Sequence, residues 1–517
     1  MSMKQFSSAL FKSHIRSGIL WKRLAFFLAL PICALVLPAC GGDQRPPEPE
    51  DGVLTYAALN PVTSEVQRSV DIFNESHTDV RIEIRDYSDE GGLDRLRIEL
   101  ALGRVPDIME MHYLGTSPDR EGKHNDTIKH GNTTTWKYHR NSTLKRPKDE
   151  YWMPYRQMAQ KGYLEDLWPY IENDPKLGRD GVLMPPLKAA EVDGSLYLLF
   201  KDVRVNTLMG PESIVGNRYS WTLEELLATF DTMREGSTIL RYNATKHDVF
   251  YELLCFSLEK FMDRTTGACA FDSIGFRDLV AFLECFPNES DFELPEKVAE
   301  ERMERVRTGK QMLEVTQIAW PEDLNFRDGY WGERTSFPGY PTADGSSGNS
   351  FYPMGNILSM SSACQNKEAA WEFIRSLIKP RRSKSALGAV VNEAYVSIPV
   401  NLHDFEIFMW GEIVQQAGLL REHNRHGNKP IESADILGTW TPFDYGPGIY
   451  ARSLLTEEDG ERFRALIDNT TQLYWPDDDL TDIVWEALGP YFAGDRTLDD
   501  TLRLLDNRVS LYLNEQK

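Results

Sequence analysis

The folded part of the chain opens with a regular change of hydrophobic period. "GVLTYAAL" (Gly52–Leu59) is an almost unbroken apolar run of strand length, as a strand covered on both faces requires. In "SEVQRSVDIFNES", Val66, Val70 and Phe73 fall on one helical face, and Ser64 and Gln67 stand at the spacing of a capping box. "VRIEIRDY" alternates, which puts Val80, Ile82 and Ile84 on one side of a second strand. "GLDRLRIELALG" reads as a helix closed by Gly103, and "PDIMEM" (Pro106–Met111) as a third strand. Strand–helix–strand–helix–strand predicts a parallel sheet with right-handed crossovers, so the fold class is α/β. Ligands of such sheets sit beyond the carboxyl ends of the strands, so the loops after Leu59 and Met111 are candidate cleft walls.

Further helices announce their starts. Thr222 and Glu225 form a capping box before "LLATFDTM", Asn366 precedes "KEAAWEFIRSLI", and Thr497 with Asp500 opens the last helix. "FPGYPTADGSSGNSFYPMG" (Phe337–Gly355) is too rich in Gly, Pro and Ser for a helix and reads as an extended crossing followed by a loop. Tyr113–Pro154 breaks the pattern. Its apolar periodicity is weak, and Lys and Arg are in local excess. A structureless stretch of that length is uncommon inside a compact domain, and disorder is expected there. A mobile surface insertion, a metal site from His124, His130 and His139, and a local frame slip are its three readings. The irregular, long spacings of those histidines disfavour the metal.

The chain has 517 residues, enough for two or three domains, and 41% of them are hydrophobic. The formal net charge is −22. The first 39 residues hold five basic side chains and no acid, so the remainder carries −27. Such a surface repels nucleic acid and anionic lipid. The six cysteines show no C-x-x-C spacing, which suggests neither a zinc site nor a redox pair. Cys255, Cys269 and Cys285 are expected to pack as small apolar residues, with one bridge among them left open. "LAFFLALPICALVLPACGG" (Leu24–Gly42) is long enough to span a membrane, but Pro31 and Pro38 interrupt it and basic residues precede it, as in an export signal. Its end, Leu37-Pro38-Ala39-Cys40, resembles the lipobox of bacterial lipoproteins, although Pro38 is an unusual occupant. The resemblance implies cleavage of a signal peptide (1–39) and lipid on the Cys40 sulfur. Residues 40–51, "CGGDQRPPEPED", then read as a flexible tether.

With these features in place, the chain resembles bacterial extracellular solute-binding proteins of ABC transporters, in the maltose-binding-like, sugar-binding family. The motifs are distributed: "GRVPDIMEM", "QKGYLEDLWPYI", "DGSLYLLFKDVRVNTLMG", "WTLEELLATFDTM", "GKQMLEVTQIAWPEDL", the Phe337–Ile378 stretch and "YFAGDRTLDDTLRLLDNRVSLYLNE". The resemblance implies a two-lobed periplasmic-binding-protein-like (type II) fold hinged between lobes. Lobe 1 would be 52–200 plus 338–380, and lobe 2 would be 201–337 plus 381–517. It also implies a carbohydrate of oligosaccharide kind, captured unreacted and handed to ABC permease subunits in the membrane. The protein would be a monomer, lipid-anchored on the extracytoplasmic face, with no enzymatic activity, no nucleic-acid partner and no cofactor. Tyr113–Pro154 is absent from the family pattern and falls where a ligand loop should be.

The candidate ligand-binding residues each have a plainer reading. Trp320, in "IAWPED", is where the family often carries a sugar-stacking aromatic; it is otherwise a core Trp. Tyr340 and Tyr352 stack and hydrogen-bond hydroxyls, or pack the hinge. Asn60 reads a hydroxyl, or makes a turn with Pro61; His112 opens the loop after the third strand with the same two options. Asp202 and Arg204 pair with each other, or fork onto hydroxyls or a carboxylate. Trp475, in "YWPDDD", is a ligand lid or exposed packing. Asp477–Asp479 lack the spacing of a calcium loop and read as compensation of a helix dipole. His423 and His426 read as solvent-facing, and no metal site is expected. No G-x-S-x-G, H-E-x-x-H, Walker A or G-x-G-x-x-G motif occurs. A surface glycan hydrolase and an adhesion or sensor module are the competing classes; chance carboxylate pairs among 79 acids say nothing about the first.

Overall fold

The computed structural model describes residues 52–515 apart from 90, 114–126, 131–132, 137–150, 176, 242–243, 265, 289–297, 343, 377–381, 385–389, 393–396 and 412–454. The leader, Cys40, the tether, His423 and His426 lie outside the described residues.

β1 (Val53–Ala58), α1 (Ser64–Ser76), β2 (Arg81–Asp86), α2 (Gly92–Ala101) and β3 (Ile108–Glu110) follow one another as the hydrophobic pattern predicts. β1 pairs in parallel with both β2 and β3. α1 buries the expected stripe of Val66, Val70 and Phe73. Its cap differs from the Ser64–Gln67 expectation. Thr63 is extended, and its hydroxyl accepts the Val66 N–H at 3.3 Å, so Ser64 is already helical. Gln67 bonds Asp71 one turn on instead. Thr63 supplies the same capping oxygen one residue earlier.

β4 (His112–Tyr113) and β5 (Tyr151–Trp152) pair antiparallel, and α3 (Tyr155–Gln160) follows. The segment expected to be disordered is therefore paired at both ends. Within it, Thr127–His130 and Thr133–Trp136 form a hairpin; the rest lies outside the described residues.

The remaining elements that place the site are β6 (Leu199–Pro211), α4 (Leu223–Asp231), α5 (Ile274–Glu284), β7 (Glu314–Ile318), α6 (Pro321–Trp331), β8 (Thr335–Ser336) and β9 (Ser350–Met360). After them come α7 (Lys367–Ser376), β10 (Ile398–Pro399), α8 (Glu457–Asp468), β11 (Gln472–Leu473), α9 (Asp478–Phe492) and α10 (Leu498–Glu515). One nine-stranded mixed sheet runs β7-β6-β9-β3-β1-β2, with β8 and β10 also on β6 and β11 on β9.

Two strands hold this sheet together. β6 and β9 pair antiparallel from Leu199↔Leu358 to Asn206↔Ser350. The far end of β9 joins β3, and the far end of β6 carries β7 and β8. α1 and α7 pack together near β2 and β9, whereas α6 packs on β6, β7, β8 and α8. α5 is tied to α10 by Arg277–Asp499 at 2.8 Å. Two helix groups thus hang from one pair of long strands, the crossing that the α/β two-lobed reading demands. The loop expected after a crossing precedes it: Phe337–Asn349 is irregular and β9 begins at Ser350. The Gly/Ser-rich half lacks side chains to bury, while "SFYPMGNILSM" supplies them.

Cys269, Cys285 and Cys364 carry free thiols, so neither Cys269 nor Cys285 takes part in the bridge left open above. Cys285 is exposed rather than packed. It caps α5 between the buried Leu283 and Phe286, off the side that these two residues bury.

Candidate functional site

The strand ends expected to form cleft walls are joined by one buried carboxylate. Glu110 ends β3 and lies beneath the turn that leaves β1. Its Oε1 accepts the Tyr56 hydroxyl at 2.7 Å. Its Oε2 accepts the backbone N–H groups of Leu59 at 2.8 Å and Asn60 at 2.9 Å, and the Asn60 amide at 3.1 Å. Burial pushes the Glu110 carboxyl above the usual glutamate range, against the opposing effect of these donors. Burial, with Glu110 beside it, raises the Tyr56 hydroxyl as well. Nδ2 of Asn60 also donates to the His112 carbonyl at 2.7 Å. Asn60 is therefore more than turn chemistry: it stitches the loop after β1 to the loop after β3.

From His112 the chain of contacts is aromatic. The imidazole stacks on Trp152 with centroids 3.8 Å apart and planes at 22°, across the β4–β5 register. Trp152 in turn meets Trp475 at 4.7 Å, Tyr352 at 5.5 Å and Tyr474 at 6.2 Å, all edge to face. Tyr155, at the start of α3, abuts Trp475 at 4.9 Å. Tyr352 and Tyr474 lie 5.3 Å apart. His112, Trp152, Tyr155, Tyr474 and Trp475 are all buried. The Trp475 indole N–H donates to the Met153 carbonyl at 2.9 Å, which holds it inside the cluster. The expectation of exposed packing for Trp475 is thereby replaced by a buried anchor.

Tyr352 is half-buried and leads from this floor to a polar wall. On β9 it stands opposite Arg204 of β6. Paired residues of an antiparallel ladder share a face, and residues two apart do too. Arg204, Asn206 and Tyr352 therefore share one face with Gln317 of β7, which stands opposite Asn206. Arg204 Nη1 donates to Gln317 Oε1 at 3.3 Å, and Gln317 Nε2 to Asn206 Oδ1 at 2.8 Å. The opposite face, with Val203, Val205 and Phe351, is core. Asp202 is buried near β10, opposite Met354 and Pro399. Arg204 is thus engaged by an amide rather than by the ion pair weighed in the sequence.

Two candidates stand apart from this cluster. Trp320 is half-buried and caps α6, its ring 5.2 Å from Phe408. Asp323 accepts the N–H groups of Ala319 and Trp320 at 2.7 and 2.9 Å, fixing the turn at the end of β7. Tyr340 is buried in the Phe337–Asn349 loop beside the Gly339–Gly348 bridge, the packing alternative weighed for it. The sequence reading missed Trp152, Tyr474, Glu110 and Gln317. Glu110 carried a signal: a lone acid inside an otherwise apolar strand. Trp152 was hidden by the polar segment around it.

Among the described residues no group of three His, Cys, Asp or Glu side chains could hold a metal ion, and no helix is long and apolar enough to cross a membrane.

No protein-family model and no curated protein sequence matches the chain. Several solved structures do. The sugar-binding protein MalE from Xanthomonas citri aligns over 89% of this chain and 97% of its own, at 12% identity and a TM-score of 0.44. A periplasmic oligogalacturonide-binding protein from Yersinia enterocolitica aligns over 90% and 100%, at 12% identity and 0.46. A cyclic alpha-maltosyl-1,6-maltose-binding protein from Arthrobacter globiformis aligns over 89% and 98%, at 13% identity and 0.42.

Proposed function

We propose that this chain is the solute-capturing subunit of an ABC importer, binding a carbohydrate of oligosaccharide type at the seam between two lobes and passing it to membrane permease subunits. The lobes are those drawn from the sequence, 52–200 with 338–380 and 201–337 with 381–517. The observation that carries the reading is the position of Tyr352. It sits where the two crossing strands pair, with an aromatic floor on one side and the Arg204–Gln317–Asn206 wall on the other. Sugar rings offer apolar faces and hydroxyl edges, and this seam sets the half-buried Tyr352 ring beside the Asn206 and Gln317 amides. The reading is of binding rather than turnover. Glu110 accepts four hydrogen bonds from the fold itself, so its carboxyl is engaged in holding the ends of β1 and β3.

In this reading Cys40 carries the lipid anchor after removal of residues 1–39, and the body works as a monomer outside the cytoplasm. The test is a thermal-shift screen with linear oligosaccharides, followed by chromatography of the bound sugar. The expected outcome is a raised melting temperature and recovery of intact sugar; a hundredfold excess over Kd should stabilise by about 2.7 kcal/mol. Recovery of cleaved sugar would make the chain a glycan hydrolase, and no shift with any sugar would favour an adhesion module. Trp320, in the turn after β7 and apart from the aromatic cluster, is proposed as a stacking residue. Trp320→Ala is expected to remove the ligand-induced shift and leave the ligand-free melting temperature within a few degrees.

A further inference from the structure

Trp152 occupies the centre of the aromatic cluster, yet its ring is not available as a stacking platform. His112 covers one face at 3.8 Å, and Tyr352, Tyr474 and Trp475 meet it edge to face. What the ring has left is its polar edge. The indole N–H is buried and has no hydrogen-bond partner in the described structure, whereas its neighbour Trp475 donates to Met153. A buried N–H left unmade costs about 1–3 kcal/mol, so such a donor is answered by an ordered water or by a ligand.

A second donor lies beside Tyr352 in the β6–β9 ladder. Arg204 stands opposite Tyr352 in the β6–β9 ladder. Its Nη1 reaches Gln317, but its Nε–H is buried without a partner. Both groups are donors only; neither indole nor guanidinium accepts a hydrogen bond. Both neighbour the half-exposed Tyr352, in the surface already assigned to ligand.

We infer that the ligand is received here by an edge of oxygen acceptors, with Trp152 Nε1 and Arg204 Nε as its donors, and that Trp152 serves as a hydrogen-bonding residue rather than a stacking one. The inference rests on the carbohydrate-binding reading above and adds the chemistry of the recognised edge. Sugar hydroxyls and a uronic-acid carboxylate both present such oxygens. The planar fork of Arg204 favours the carboxylate, while Asp202, buried two residues earlier on β6, works against a second anion.

The test is Trp152→Phe, which keeps a ring in the cluster and removes the N–H. A donor with no partner in the free protein predicts opposite signs for two measurements. The ligand-free melting temperature should hold or rise, because an unanswered buried donor has gone. Affinity, read by titration calorimetry with the best binder from a panel of neutral glucan and acidic uronate oligosaccharides, should fall by about tenfold, one hydrogen bond's worth. Arg204→Lys keeps the charge and removes Nε; a loss of similar size is expected, larger for uronates than for glucans if the acceptor is a carboxylate and equal for both if it is a hydroxyl. Should Trp152→Phe not fold, the indole N–H resonance of Trp152 in the wild type serves instead and should move downfield on binding. A Trp152→Phe protein that binds as wild type, or an unmoved indole resonance, overturns the inference and leaves the carbohydrate reading standing. Failure of every oligosaccharide to bind the wild type removes both.

Discussion

Glu110 shows how one side chain can fix a site it does not reach. Its two oxygens gather the Tyr56 hydroxyl, two backbone N–H groups and the Asn60 amide, and Asn60 passes the constraint to His112. Glu110→Ala leaves the donors of Tyr56, Leu59 and Asn60 facing a void. A cost of about 2–4 kcal/mol is expected in urea unfolding, since each unanswered buried donor costs about 1–3 kcal/mol and some will find water. Its pH dependence has a defined sign. Burial raises the folded-state pKa above the unfolded one, so the folded chain holds this proton to higher pH. The associated stability is complete below the unfolded pKa and is lost as pH rises through the folded value. Glu110→Gln has no such proton. The stability of wild type relative to Glu110→Gln should therefore decline as pH is raised from about 4 upward. A difference that grows over that range would mean that the hydrogen bonds outweigh the desolvation.

Helix starts were the most legible elements, because a cap is a local bargain between a side-chain oxygen and an N–H three residues on. Thr222–Glu225 and Thr497–Asp500 form as read. The first cap slipped, where Thr63 and Ser64 offered the same chemistry side by side. The Asp477–Asp479 cluster also behaves as expected of a helix start: Asp477 accepts the Leu480 N–H at 3.0 Å at the head of α9. Its other partners were invisible in sequence. Arg264 pairs with it, and the Tyr512 hydroxyl of α10 lies 3.0 Å away, joining three distant stretches. Asp477→Ala removes the cap and one partner of the buried Arg264 guanidinium, so about 2–4 kcal/mol is the expected cost in chemical denaturation. A loss near 1 kcal/mol would reduce Asp477 to a cap alone. The site was less legible than the helices. Asn60, His112, Arg204, Tyr352 and Trp475 converge as candidates for strand ends and crossings should. Trp152 joins them only because β5 pairs with β4 across an intervening segment of low apolar content, and no local period announces such a pairing.

The molecule as a whole is organised by β6 and β9. Every strand of the main sheet except β1 and β2 pairs with one of them directly, and the two helix groups pack at opposite ends of the ladder. Relative movement of the groups must bend or twist these two strands, because they carry the chain between the groups at two of its passages. The irregularity between Phe200 and Asp202, where the β6–β9 register shifts, is a ready place for such bending. The wall residue Arg204 and the floor residue Tyr352 lie just beyond it, so a ligand touching both would resist the ladder's flexing and favour one arrangement. Binding should then make the body more compact, as differential contact with a closed state requires. X-ray scattering of the tether-free body, residues 52–517, measures this directly. A compact chain of that length has a radius of gyration of about 23 Å, and a saturating oligosaccharide should lower the measured value and shorten the largest intramolecular distance. The formal charge of this body, −27 less the net −3 of residues 40–51 and so about −24, adds a control. Self-repulsion of an acidic body is screened within about 10 Å at 0.1 M salt, so compaction that appears with salt alone belongs to electrostatics. Compaction that appears with ligand at fixed salt belongs to closure. Saturating binding with unchanged scattering at every salt concentration would mean that β6 and β9 act as a rigid spine, and that bound and free protein differ in something other than the distance between the two helix groups.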